Sequence, residues 1–222
     1  MQLPWRYGEA VATVKGGSHR RRPLRPLVLG GLLGPAIFVA DWAVLGTTRR
    51  GYSPVNEAIS RLAQMGVSSR PAMTAGFICY GAGLIAYGAA LRESVSGSAW
   101  LWVAATGVLT LGVAAAPLGT PTSGAFHAAF ASAGYATLSG AVVVLLPTGL
   151  VLGHRCSLPG ALLGGATTAA LLVVSVTVGP GHGLIQRLGL TLGDTIIGLS
   201  ALQLLSRRGR RGPETVERRI ET

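Results

Sequence analysis

The sequence predicts an all-α fold, a polytopic membrane bundle of six transmembrane helices with a short amphipathic helix on its outer face. Three observations carry that prediction. Of 222 residues, 49% are hydrophobic and only 12% charged, about half the roughly 25% charge of a soluble domain. Apolar runs near 20 residues, the length needed to cross a bilayer, occur six times. The basic residues gather at the two ends of the chain, outside those runs. A soluble core cannot absorb this much apolar sequence, and a disordered chain would not contain it. The 33 glycines follow no G-X-Y period, which excludes collagen.

The expected spans are 26–47, 71–92, 99–118, 123–147, 158–178 and 183–205. A basic tail (1–25) precedes this membrane domain (26–205) and a charged tail (206–222) follows it. The first run resembles a signal peptide but is too long and lacks a small-x-small cleavage site, so it reads as an uncleaved span. Small residues recur at four-residue spacing as Gly30/Gly34, Gly160/Gly164 and Gly189/Gly193, which lets helix backbones approach closely in lipid.

The only long connection, 48–70, is patterned. Ser53 suits a helix cap and Pro54 a first helical position. Val55, Ile59 and Leu62 fall on one face, Glu57 and Arg61 are spaced for an i,i+4 pair, and Gly66 is a stop. An amphipathic helix over about 53–65 is expected, lying at the outer interface or folded over the bundle mouth.

Net charge is +11, but its placement argues against nucleic acid. Arg6, Lys15, Arg20, Arg21, Arg22 and Arg25 precede the first span. Arg207, Arg208, Arg210, Arg211, Arg218 and Arg219 follow the last. With both termini cytoplasmic, the loops carrying Arg92 and Arg155 are also inside, leaving Arg49, Arg50, Arg61 and Arg70 outside. That bias is the positive-inside pattern, and such clusters attract anionic lipid headgroups. Trp42 then lies near the outer interface, with Trp100 and Trp102 near the inner one. Membrane lipids are the expected partners; self-association or another membrane partner is left open. Cys79 falls in a span and Cys156 in a short inner loop, so no disulfide is expected, and nothing has the spacing of a metal or cofactor site.

Ionisable groups inside spans are costly and are functional hypotheses by default. Asp41, His127, Gln186 and Arg187 all fall toward the outer leaflet, and Asp194 lies about two turns deeper than Arg187. Arg187, Thr191 and Asp194 form one helical stripe; His127, Ala131 and Tyr135 form another. Facing inward, these stripes would build an outward-opening polar pocket, with Glu57 and Ser60 as its cover. Arginine there suits a phosphate or carboxylate, and histidine exchanges protons near neutrality. The structural alternatives are an Asp41–Arg187 ion pair, a histidine satisfied by a local hydrogen bond, and a merely solvated Glu57. Asp194 needs a partner or its own proton. No HExxH, GxSxG or P-loop occurs; Ser53 or Ser60 could be combined with His127 and Asp41 into a serine–histidine–aspartate arrangement, a combination that any membrane protein offers.

Three outer segments, GYSPVNEAISRLAQMG (51–66), PLGTPTSGAFHAAFASAGY (117–135) and GLIQRLGL (183–190), resemble the bacterial domain-of-unknown-function 998 family of six-span membrane proteins. The resemblance rests on Gly51, Tyr52, Ser53, Ile59, Ser60 and Leu62, then His127, then Gly183, Arg187 and Leu188, and spans about 26–205. It implies the six-span fold and a bacterial inner-membrane location, and it implies no particular activity. Asn56 and Arg61 depart from the family, in which Ser-Asp and Glu are common near these positions.

The candidate pocket therefore comprises Asp41, Tyr52, Ser53, Glu57, Ser60, His127, Gln186, Arg187 and Asp194. Three functional readings follow. The protein binds or moves a lipid or small anionic amphiphile; or it is an intramembrane hydrolase or transferase using His127 with Asp41 or Glu57; or it is an assembly protein whose polar groups only lock the bundle.

Overall fold

A computed structural model of the chain describes residues 25–120 and 122–209. The predicted tails lie outside the described residues, apart from their few membrane-proximal positions. Six helices follow in order: α1 (Arg25–Thr48), α2 (Arg70–Ser94), α3 (Ala99–Ala115), α4 (Ser123–Leu145), α5 (Leu158–Thr177) and α6 (His182–Gly209). No strand occurs among the described residues. Five of the helices, all but α3, are long and apolar enough to cross a membrane, and the chain is an integral membrane protein of the all-helical class.

Each helix packs on its chain neighbour, and α6 returns to α1, so the six close into a ring; α4 also touches α6. Between α1 and α2 the backbones nearly touch. A Cβ at Gly83 would stand 2.7 Å from the Gly30 carbonyl oxygen and 3.1 Å from the Gly34 Cα. Between α2 and α3, a Cβ at Gly81 would stand 2.7 Å from the Gly107 carbonyl oxygen. The small-residue spacing at Gly30/Gly34 thus has its partner on α2. Gly189 and Gly193 instead receive the Leu172 and Leu138 side chains, and Gly164 receives Leu146. Gly160 makes no interhelical approach; the Cys156 and Ser157 side chains at the start of its own helix face it.

Two expectations are corrected. The run 99–118 yields a helix of 17 residues ending at Ala115. Ala116 precedes Pro117, whose ring disfavours the helical region for the residue before it, and Ala116 lies at φ −113°, ψ 69°. The outer segment 53–65 is not an α-helix. It is a capped turn at Ser53 followed by a 3-10 helix, Ile59–Ala63, with Ala58 extended between them.

The reason is competition from α6. In an α-helix the Val55 carbonyl would accept from Ile59 N–H. Here it accepts from Leu184 N–H at 3.0 Å, and Ile59 N–H donates to the Gln186 side chain at 2.9 Å. The Pro54 and Glu57 carbonyls accept from Arg187. Glu57 does not pair with Arg61. Its carboxylate accepts from Ser53 N–H at 2.8 Å, while Arg61 donates to Gln64. Ile59, Leu62 and Ala63 are buried and Val55 is exposed. The segment 49–69 is thus a plug folded into one end of the bundle.

Candidate functional site

Gly183, in the first turn of α6, sets how closely that helix meets the plug. A Cβ there would stand 2.8 Å from both the Glu57 nitrogen and the Pro54 carbonyl oxygen. One turn on, Arg187 is 5% exposed and pins the plug. Its Nη1 donates to the carbonyls of Pro54 at 2.6 Å, Glu57 at 3.0 Å and Gly183 at 2.9 Å. Its Nη2 donates to the Tyr52 hydroxyl. The guanidinium also lies 5.3 Å from the Trp42 ring centre and 5.7 Å from that of Tyr52, within cation–π range. The Tyr52 hydroxyl in turn donates toward the Glu57 and Ala58 carbonyls, both at 3.1 Å. Burial pushes the Tyr52 phenol above its usual value, against a smaller opposing effect of the Arg187 hydrogen bond.

Asp41 is not among the partners of Arg187. It is half-buried against α2, where any side chain at Gly76 would collide with its carboxylate. The ion pair expected from their similar depth is therefore replaced by main-chain acceptors. A buried cation tolerates this because several carbonyl dipoles and two aromatic faces share its charge.

Beneath the plug lies a cavity of about 300 Å³. Its wall draws on the plug and on all six helices, and apolar atoms dominate it. His127, Ala131 and Tyr135 line it, as do Ser60 and Gln186; no aspartate, glutamate, arginine or lysine does. Phe38, Phe77 and Leu138 form its apolar part. Gln186 spans two elements: its Oε1 accepts from Ile59 N–H, and its Nε2 donates to the Tyr135 hydroxyl. The His127 ring donates from Nδ1 to the Ala116 carbonyl at 2.8 Å. This puts a proton on Nδ1, so that Nε2 is the acceptor whenever the ring is neutral. The α3 terminus freed by Pro117 thus orients the histidine.

Asp194 lies deeper, 4% exposed and away from the cavity wall. The Tyr80 hydroxyl donates to its Oδ1 at 2.6 Å, and Oδ2 has no partner among the described residues. Two turns below, Tyr87 and Ser200 share a 2.7 Å hydrogen bond. These pairs tie α2 to α6 across the ring.

Of the nine candidate residues, the structure brings Ser60, His127 and Gln186 to one cavity. Tyr52, Ser53, Glu57 and Arg187 form the plug anchor instead, and Asp41 and Asp194 stand apart on α1 and α6. No serine–histidine–aspartate arrangement results, because His127 Nδ1 is held by a carbonyl and neither Asp41 nor Glu57 lines the cavity. The aromatic wall and Tyr80 were missed from the sequence. A usable signal existed: Tyr80 and Tyr87 lie seven apart on α2, nearly matching the spacing of Asp194 and Ser200 on α6.

The family described as Protein of unknown function (DUF998) matches residues 32–203. The chain belongs to this family. The match includes α2 to α5 whole, most of α1 and α6, the plug and every cavity residue named above. No curated protein and no solved structure matches the chain significantly.

Proposed function

We propose that this protein binds a single lipid-like amphiphile in the plug-capped cavity, as a carrier or receptor within the membrane. The observation that carries the reading is the cavity itself: apolar, uncharged at its wall, and covered at one end by a pinned segment. Its volume sits at the low end of small-molecule sites, roughly 300–1,000 Å³. It suits one chain, or the end of one, rather than a whole two-chain phospholipid.

The proposal includes a six-span topology with both termini in the cytoplasm of a bacterial inner membrane. The 17 residues of α3 meet the lower bound of about 17 for a span, and α3 joins an outer turn to an inner one. The arginine distribution orients the plug outward. The guest enters from the outer leaflet between α4 and α5. Ala128, Ser132 and Val176 belong to the cavity wall and are also exposed, whereas Gly164 and Gly165 hold these helices together at the other end.

Mass spectrometry of molecules co-purified in gentle detergent tests this, with wild type beside Ala131→Trp, which fills the cavity. One species enriched over bulk membrane lipid in wild type, and lost from a variant that still melts cooperatively, is the expected result. Identical bulk lipid in both would overturn it and favour the assembly reading, in which Arg187 and Asp194 only lock helices.

A further inference from the structure

We infer that the cavity selects an uncharged amphiphile with a hydroxyl headgroup, a long-chain alcohol in chemical class, and that His127 Nε2 accepts the proton of that hydroxyl. This rests on the lipid-binding reading above and adds the headgroup to it. The sequence pointed to an anionic headgroup held by Arg187. The geometry points elsewhere, because the guanidinium spends its Nη donors on Pro54, Glu57, Gly183 and Tyr52 and does not reach the cavity wall.

The hydrogen-bonding capacity left on the wall defines the guest. Thr110 donates to the Thr106 carbonyl at 2.9 Å, and Thr106 to the Trp102 carbonyl at 2.9 Å. Tyr80 is committed to Asp194, and both ends of the Gln186 amide are used. His127 keeps Nε2 as an acceptor because Nδ1 serves Ala116. The Ser60 and Ser132 hydroxyls, on the same wall, take no protein partner among the described residues, and the Tyr135 hydroxyl accepts from Gln186 and keeps its own proton to donate. An acceptor beside a hydroxyl matches a group that both donates and accepts. A carbonyl guest would leave the imidazole unpaired. A carboxylate or phosphate would enter a low-dielectric space with no arginine or lysine on its wall, at a cost of several kcal/mol.

Orientation follows from position along α4. His127 lies near the plug end, whereas Leu138 is 11 residues further, roughly 16 Å deeper. The hydroxyl head then sits under Ser60 and the chain extends toward Phe38, Phe77 and Leu138.

The test uses the full chain in phosphatidylcholine nanodiscs with three diazirine probes of equal chain length: an alcohol, a fatty acid and an alkane. Crosslinked peptides are mapped after illumination. The alcohol is expected to label cavity residues at least tenfold more than the acid does. His127→Phe should cut alcohol labelling at least fivefold and leave alkane labelling unchanged, and His127→Gln, which retains an acceptor, should restore most of it. Acid labelling equal to or above alcohol labelling would overturn the inference. So would alcohol labelling indifferent to His127→Phe, although the lipid-binding reading would then stand because the cavity is still labelled. Failure of every probe to label the cavity, in wild type as in Ala131→Trp, would overturn both.

Discussion

Between α1 and α2, and again between α2 and α3, carbonyl oxygens lie where a glycine side chain would be. Between α4, with the turn that follows it, and α5 the nearest atoms at the glycine notches are side chains, Leu146 at Gly164 and Val143 at Gly165, with the Ser139 carbonyl oxygen 3.1 Å from a Cβ at Gly165. The two sides of the ring share a composition and differ in what opposes each glycine. A backbone cannot step aside, but a leucine can change rotamer. The α1–α3 side is therefore the stiffer frame, and in the proposed reading the α4–α5 side is the one that parts around a guest.

The largest expected effect tests that contrast directly. Gly83→Val places atoms against the Gly30 backbone and should cost more than about 4 kcal/mol, leaving little folded protein. Gly164→Ala meets only side-chain methyls, of Leu146 at 2.9 Å and Val142 at 3.4 Å, and should cost about 1 kcal/mol or less. Thermal melts in detergent would show the difference; equal losses would remove the distinction between frame and flank.

Arg187→Met comes next. It strands the Pro54 and Glu57 carbonyls and frees the plug, for about 3 kcal/mol or more. Asp41→Asn should cost about 0.5 kcal/mol or less, and the double variant should be additive within about 0.5 kcal/mol. Partial recovery in the double variant would reinstate the ion pair inferred from sequence.

Tyr80→Phe removes the one hydrogen-bond partner that Asp194 has among the described residues and should cost about 1–3 kcal/mol, the penalty for leaving a buried polar group unsatisfied. Tyr87→Phe breaks a neutral pair, for about 0.5–1.5 kcal/mol. Chemical denaturation of the two variants side by side ranks them; the opposite order would mean that Asp194 does not depend on Tyr80.

The smallest effect concerns pH. Burial raises the Tyr52 pKa, so the folded state holds this proton more tightly than the unfolded chain. Its contribution is full below the ordinary tyrosine value of about 10 and is lost as pH rises through the folded value. Thiol labelling at Ala63→Cys, in a chain whose Cys79 and Cys156 are serines and measured relative to a free thiol at the same pH, should stay slow to about pH 10 and accelerate above it. Tyr52→Phe should label faster at neutral pH and lose that acceleration.

The sequence made the helices legible because spans in lipid need continuous apolar length, a property of composition alone. It also showed the polar stripe of α4, since i, i+4, i+8 spacing is local. What it did not show was who faces whom. Arg187 and Asp41 are at matching depth, yet depth says nothing about rotation, and the competing acceptors were main-chain carbonyls with no sequence signature. The plug misled for the same reason. Its apolar pattern at Ile59 and Leu62 is helical, but Gln186 and Leu184, more than 120 residues away, take the hydrogen bonds an α-helix would have made.

That distance has a temporal meaning during biosynthesis. Tyr52 leaves the ribosome 135 residues before Arg187, which at roughly 5–20 residues per second is on the order of ten seconds. Through that interval α2 to α5 are made while the plug segment lacks its anchor. Arrival of the last helix supplies the partners of Tyr52, Pro54, Glu57 and Ile59 at once, so a chain truncated before α6 would leave the cap unanchored.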